Sequence, residues 1–146
     1  MRRHLIATAI VVFVAIGIAE GSSGQTLGQE KTILPMIKAN WIAFRDYDGR
    51  QFVYFTMLQS YRCGLKEIRF SLDNEDLGEY FPLPPCDPER PNAIDAEQWP
   101  PYITMPLGTA TWAMVQLVYS DGEISEPARF ARCENTGDSA CAVLRP

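Results

Sequence analysis

The sequence predicts an all-β fold, an antiparallel β-sandwich, from three observations. Two Asp-Gly pairs, Asp48-Gly49 and Asp121-Gly122, each lie between two apolar runs and supply the positive backbone angles of a tight hairpin. Residues 65–72 and 111–119 alternate apolar and polar side chains with the period of a strand. Beyond residue 19 no stretch carries the apolar spacing of a three-turn helix. Six or seven short strands in roughly 100 residues fit two packed sheets, and a length of 146 residues supports one domain.

The chain begins with a basic Met1-Arg2-Arg3-His4, followed by an uncharged apolar run of 15 residues at 5–19. That run is short for a membrane span and fits the apolar part of a signal peptide. Gly17 and Ala19 place small residues where a signal peptidase needs them, so residues 1–19 are expected to be removed between Ala19 and Glu20. The alternative is an uncleaved N-terminal membrane anchor. Arg2-Arg3 resembles a twin-arginine signal, but so short a basic region before so apolar a run fits the general secretory route better. The residue directly after the cleavage position is Glu20, not cysteine, which argues against a lipid anchor.

Cleavage removes Arg2, Arg3 and His4, the one histidine, leaving 11 basic against 18 acidic residues and a net charge of −7. Nucleic acid and anionic lipid surfaces are therefore poor partners, and no imidazole remains for catalysis or metal binding. The expected location is the periplasm or the extracellular space, with no membrane contact after cleavage.

Residues 20–31 (EGSSGQTLGQEK) are polar and glycine/serine-rich and predict a flexible linker, with order starting near Thr32 or Ile33 and a single domain over 32–146. Residues 41–47 and 50–57 form the first predicted hairpin. Phe52 and Tyr54 face one way and Val53 and Phe55 the other, so this strand is expected inside a sheet or against a second layer. In 65–72, Ile68, Phe70 and Leu72 point inward and Glu67, Arg69 and Ser71 face solvent, and residues 73–76 end the strand.

Eight of the eleven prolines, at positions 82, 84, 85, 88, 91, 100, 101 and 106, fall in 81–106 and deny that segment both helix and central strand. A long ordered loop is predicted, pinned through Cys86, with one helical turn allowed at 92–99 and a short strand at 102–104. The second hairpin joins 111–119 to 124–130. Cys133 and Cys141 close a short terminal loop.

The runs at 67–73, 103–109 and 115–125 (EIRFSLD, ITMPLGT, VQLVYSDGEIS) resemble bacterial fibronectin-type-III or immunoglobulin-like modules, including those appended to glycan-acting enzymes, and small exported proteins of Gram-negative bacteria. The likeness covers about 60 of the 127 mature residues and implies a scaffold; it transfers no catalytic residue. The proline-rich loop and the cysteines depart from it.

Four cysteines, Cys63, Cys86, Cys133 and Cys141, allow three pairings. Cys63 with Cys86 and Cys133 with Cys141 is favoured, tying the strand at 65–72 to the proline-rich loop and stapling the C-terminal tail. No Cys-x-x-Cys occurs, so the expectation is structural disulfides without a metal. The carboxylates Asp46, Asp48, Asp73, Glu75, Asp76, Asp87, Glu89, Asp95 and Glu97 include no pair selected by spacing for glycoside hydrolysis. Asp73-Asn74-Glu75-Asp76 and Asp46-x-Asp48-Gly49 offer oxygen ligands without the full calcium-loop pattern.

Aromatic residues give the better lead. Tyr80, Phe81, Trp99 and Tyr102 bracket or sit within the proline-rich loop and are the candidate binding residues. Trp41, Phe44, Phe52, Tyr54, Phe55, Phe70 and Trp112 are expected in the core. The expected function is a non-enzymatic exported binding or interaction module without a cofactor, acting through that loop on an envelope or extracellular protein or a glycan. The alternatives are a secreted enzyme inhibitor or envelope structural factor and, more remotely, a carboxylate-dependent glycan hydrolase.

Overall fold

The computed structural model describes residues 27–146; the leader and most of the expected linker lie outside them. The described residues are mostly β, in two antiparallel sheets. The smaller sheet has the order β1 (Ala43–Tyr47), β2 (Arg50–Tyr54), β5 (Tyr102–Pro106). The larger has the order β4 (Glu79–Phe81), β3 (Leu65–Leu72), β6 (Trp112–Tyr119), β7 (Ala128–Arg132), β8 (Ala142–Arg145). One core joins them: Phe44, Val53 and Met105 from the small sheet meet Ile68, Phe70, Val115, Leu117 and Phe130 from the large one.

Both hairpins form, but at the second only Gly122 has a positive φ, of 88°, Asp121 does not, and the return strand β7 starts at Ala128, later than the expected 124. Asp48 and Gly49 have φ of 49° and 72°, the left-handed conformation of that turn chemistry. The inner face of β2 carries the polar Gln51, which is fully buried yet satisfied. Its side chain donates to the Ala110 carbonyl (3.0 Å) and accepts from the Ala110 N–H (2.8 Å), as a neighbouring strand would.

β2 is shorter than the predicted 50–57. The Phe55 N–H bonds to the Pro101 carbonyl (2.8 Å), and residues 56–60 become helix α2 (Thr56–Ser60), which carries the chain from one sheet to the other. Phe55 and Leu58, three residues apart and fully buried, are the apolar side of that turn. A 3-10 turn at Arg62–Gly64 leads into β3.

Order also begins earlier than expected. Helix α1 (Glu30–Met36) starts inside the predicted linker, because Glu30 packs against Gly64 and is nearly fully buried. A Cβ on Gly64 would lie 2.2 Å from the Glu30 Cβ, so only glycine admits this contact. Lys31 reaches Asp121 and Glu123 at the second hairpin turn, both at 2.6 Å, and these bonds push its pKa up to about 12.

Two further readings are corrected. Ser71 was expected in solvent but is buried, with its hydroxyl donating to the Asn74 carbonyl as the turn folds back over it. β8 adds an unexpected edge strand, brought beside β7 by the Cys133–Cys141 bond. Both disulfides have the favoured pairing, Cys63–Cys86 and Cys133–Cys141.

The proline-rich segment 82–101 has neither helix nor strand, and most of its ties lead to residues 55–63. The buried Arg62 donates from Nε to the Pro85 carbonyl and from a terminal nitrogen to the Pro91 carbonyl, both at 2.9 Å. Gln59 donates to the Trp99 carbonyl (3.1 Å), and Asn92 donates to the Ser60 carbonyl (2.9 Å). A helical turn forms within 95–99, where the Trp99 N–H bonds to the Asp95 carbonyl (2.8 Å).

Arg62→Met keeps the aliphatic bulk but leaves two carbonyls without their donor. It is expected to cost about 3 kcal/mol in urea denaturation while Cys63–Cys86 still forms, as read by mass under non-reducing conditions.

Asp73 gives a pH signature. Burial raises its carboxyl, but the hydrogen bonds it accepts from the Thr111 hydroxyl and the Thr111 and Trp112 N–H groups more than offset this and hold it below the usual carboxylate value. The folded value is below the unfolded one, so this stabilisation is present above about pH 4 and is lost as pH falls through the folded value. Asp73→Asn keeps a residue tolerant of the local φ of 52°. At pH 7 it is expected to lower stability by about 1 kcal/mol, given its solvent exposure, with the gap to wild type closing in acid.

Candidate functional site

Strand alternation puts Phe44, Gln51, Val53 and Met105 of the small sheet on the core side and leaves a second face outward. The register identifies that outer face as Ala43, Arg45 and Tyr47 on β1, Arg50, Phe52 and Tyr54 on β2, and Tyr102, Thr104 and Pro106 on β5. None of these is acidic, in a chain whose net charge is −5. Phe52 and Tyr54 lie with ring centroids 5.9 Å apart and planes 13° from parallel. Tyr102, directly opposite Tyr54 in register, meets both rings edge-on, at 5.4 Å from Phe52 and 5.6 Å from Tyr54. Arg45 stacks over the Tyr47 ring at 4.2 Å and donates from Nε to the Asp138 carbonyl (2.6 Å), which fixes its guanidinium.

Beside Tyr54 the surface dips into a groove of about 690 Å³ between this face, α2 and the C-terminal loop. Tyr54 and Met57 supply apolar surface; Asn40, Thr56, Ser60 and Ser139 supply amide and hydroxyl groups. Asp138 is the one carboxylate lining it. Rings for the C–H faces of a ligand beside short polar groups for its hydroxyls form a surface suited to binding a saccharide.

The four sequence candidates separate. Tyr102 joins the aromatic face. Phe81 belongs to the core, a correction: it is 3% exposed, with its ring stacked on Phe55 at 4.3 Å, because β4 pairs it opposite Ile68 before the prolines begin. Trp99 is half-buried, and its backbone anchors the loop. Tyr80 is 61% exposed but lies on β4, in the other sheet.

Phe52, Tyr54 and Trp112 are corrected in the opposite sense: all three are half-buried, on outer faces of the sheets. Sequence reasoning missed Phe52 and Tyr54 because their strand looks apolar on both sides, and the polar Gln51 sits on the inner one. The signal that marks them is Arg50, which shares their alternation.

The two acidic runs at 46–49 and 73–76 make contacts within the fold. Asp73 accepts from Thr111 and Trp112, and Asp46 pairs with Arg132. Among the described residues no group of three or more His, Cys, Asp or Glu is placed to hold a metal ion, and no helix is long and apolar enough to cross a membrane.

Residues 138–140 wall this groove, and Cys133–Cys141 holds their loop against β1, where Phe44 and Cys141 exchange backbone hydrogen bonds of 3.0 and 2.8 Å. Replacing both cysteines by serine is expected to cost about 2.5 kcal/mol by the chain-entropy model. The Phe44 and Cys141 amides then lose protection in hydrogen exchange before those of β3 and β6.

Comparison with protein-family models, with curated proteins and with solved structures finds no match for this chain.

Proposed function

We propose that the chain is a non-enzymatic, exported glycan-binding module of immunoglobulin or fibronectin-type-III-like sandwich form. Its ligand lies on the outer face of β1, β2 and β5 and in the groove beside Tyr54. The observation that carries this reading is the clustering of Phe52, Tyr54 and Tyr102 within 5.4–5.9 Å on a sheet face free of acidic side chains.

The strand order supports the fold type. β1-β2-β5 follows the A-B-E order of such sandwiches, and β3-β6-β7 follows C-F-G with β4 in the C′ place. Two disulfides support an oxidising compartment, and with the leader they support the periplasm or the outside of the cell. A binding role is favoured over hydrolysis by the groove's single carboxylate, since most glycosidases use two.

Compared with the sequence expectation, the contact surface moves from the proline-rich loop to the sheet face that the loop leads into. A second reading, a rigid loop offered to a partner enzyme, is favoured by the ties to Arg62, Gln59 and Cys63 that fix residues 82–101.

Cosedimentation with peptidoglycan, and calorimetry with soluble chito-oligosaccharides, separates the two. Tyr54→Ala and Tyr102→Ala are each expected to weaken glycan binding about five- to tenfold, in line with the ~1 kcal/mol of a stacked ring, while circular dichroism and Tm stay close to wild type. Unchanged retention of both variants on the glycan would overturn the aromatic-face reading. Capture of an envelope enzyme that persists in both variants would favour the loop.

A further inference from the structure

We infer a second binding site on the outer face of the large sheet, at β6, β7 and β8, whose ligand is a carboxylate-bearing glycan, a chain containing uronate-type sugars. It lies on a different sheet from the aromatic face and does not depend on the reading above.

The first observation is a like-charge pair. Arg129 on β7 and Arg145 on β8 are direct partners in the antiparallel register, so their side chains leave the same face with Cβ atoms about 5 Å apart. Two like charges directly opposite destabilise a strand pair, and here they occur in an acidic chain. Among the described residues Arg145 has no ion pair, and the nearest carboxylate oxygen to Arg129, from the exposed Glu75, is 3.9 Å away. An anion seated between the two guanidinium groups turns the repulsion into paired charge-assisted hydrogen bonds, for which the planar fork of arginine suits a carboxylate.

The second observation is preorganisation. The Arg129 guanidinium lies 3.8 Å from the centre of the Trp112 ring. Stacking leaves the N–H groups around the edge of the guanidinium directed outward and lowers the entropy lost on binding.

The third is the shape of the surface. Trp112, Arg129 and Arg145 line a groove of about 1080 Å³, closed on one side by Glu134, Asn135 and Thr136 of the C-terminal disulfide loop. Arg132 also lines it but is neutralised by Asp46, and Glu134 is the only carboxylate side chain in the lining. The volume lies at the upper end of small-ligand sites and accommodates a short oligosaccharide. Amide and hydroxyl groups beside paired guanidiniums match a ligand with both hydroxyls and carboxylates, which favours an acidic glycan over an acidic peptide.

Calorimetric titration of the mature domain with oligogalacturonate tests this, followed in parallel by the NMR shift of the Trp112 indole N–H. Arg145→Gln, on an exposed edge strand, is expected to weaken binding about tenfold with unchanged Tm, one lost charge-assisted hydrogen bond at ordinary strength. Arg129→Gln should weaken it at least as much, and Arg129→Lys should restore only part, because an ammonium keeps the charge without the fork. Tyr54→Ala should leave the Trp112 shift unchanged, which keeps failure here distinct from failure of the aromatic face. Carboxyl-reduced oligogalacturonate should not move the Trp112 signal. The inference is overturned if the reduced sugar moves that signal equally, if polyglutamate moves it as much as oligogalacturonate does, or if Arg145→Gln responds like wild type.

Discussion

The buried guanidinium of Arg62 is the constraint on which the rest of the structure turns. Proline has no N–H, so a segment with prolines at 82, 84, 85, 88, 91, 100 and 101 cannot enter a sheet ladder and leaves carbonyls short of donors. Arginine can meet two such carbonyls from one side chain, and Arg62 does so at Pro85 and Pro91 while Cys63, its neighbour, is bonded to Cys86. The loop is held to the 3-10 turn before β3, and its far end delivers Pro101 to the Phe55 N–H. From there β5 pairs along β2, which brings Tyr102 opposite Tyr54. The aromatic face therefore depends on a polar contact made in another part of the chain.

What the sequence makes legible is what local chemistry decides. Asp48-Gly49 and Asp121-Gly122 specify turns whatever surrounds them, and the alternation of 65–72 places Ile68 and Phe70 inward because the pleat allows nothing else. Decisions that depend on partners distant in sequence are less visible. Gln51 looks like an outward residue until Ala110 supplies both its hydrogen bonds, and that reversal hides Phe52 and Tyr54. Phe81 looks like part of the loop until Phe55 stacks on it. Glu30 looks like part of a tether because the absence of a side chain at Gly64, 34 positions away, is what admits it. The residues misplaced at the candidate sites share one cause: their burial is set by the opposite strand and cannot be read from their own neighbours.

Acidic and basic charge are separated between the turns and the strands. Much of the acidic charge lies in turns, where Asp73, Asp87 and Asp121 accept hydrogen bonds from nearby backbone or side chains. The outward strand positions of the small sheet carry arginine and aromatic residues, and the β7–β8 edge of the large sheet carries arginine. Cross-strand packing stabilises such positions only modestly, so the energetic reason for charges and rings there is weak on the fold's side, which is what the proposed binding reading rests on. On the proposed reading, net negative charge around the arginine-bearing faces disfavours polyanions away from them, at a cost in association rate.

The C-terminal disulfide loop links these two faces. Residues 133–137 wall the groove on the large sheet, and residues 138–140 wall the groove beside Tyr54. The loop contributes little to the core, since most of its residues are exposed, yet three separate contacts fix it: Cys133–Cys141, the Phe44–Cys141 backbone pair, and Arg45 on the Asp138 carbonyl. A nine-residue connection, 133–141, joins two neighbouring strands that could be closed by a shorter turn without any bridge. The added residues line a groove on either side, and on the proposed reading a loop held rigid in this way lowers the ordering entropy of both sites at once. β8 extends the large sheet, and through Cys133–Cys141 it also anchors the wall that these two grooves share.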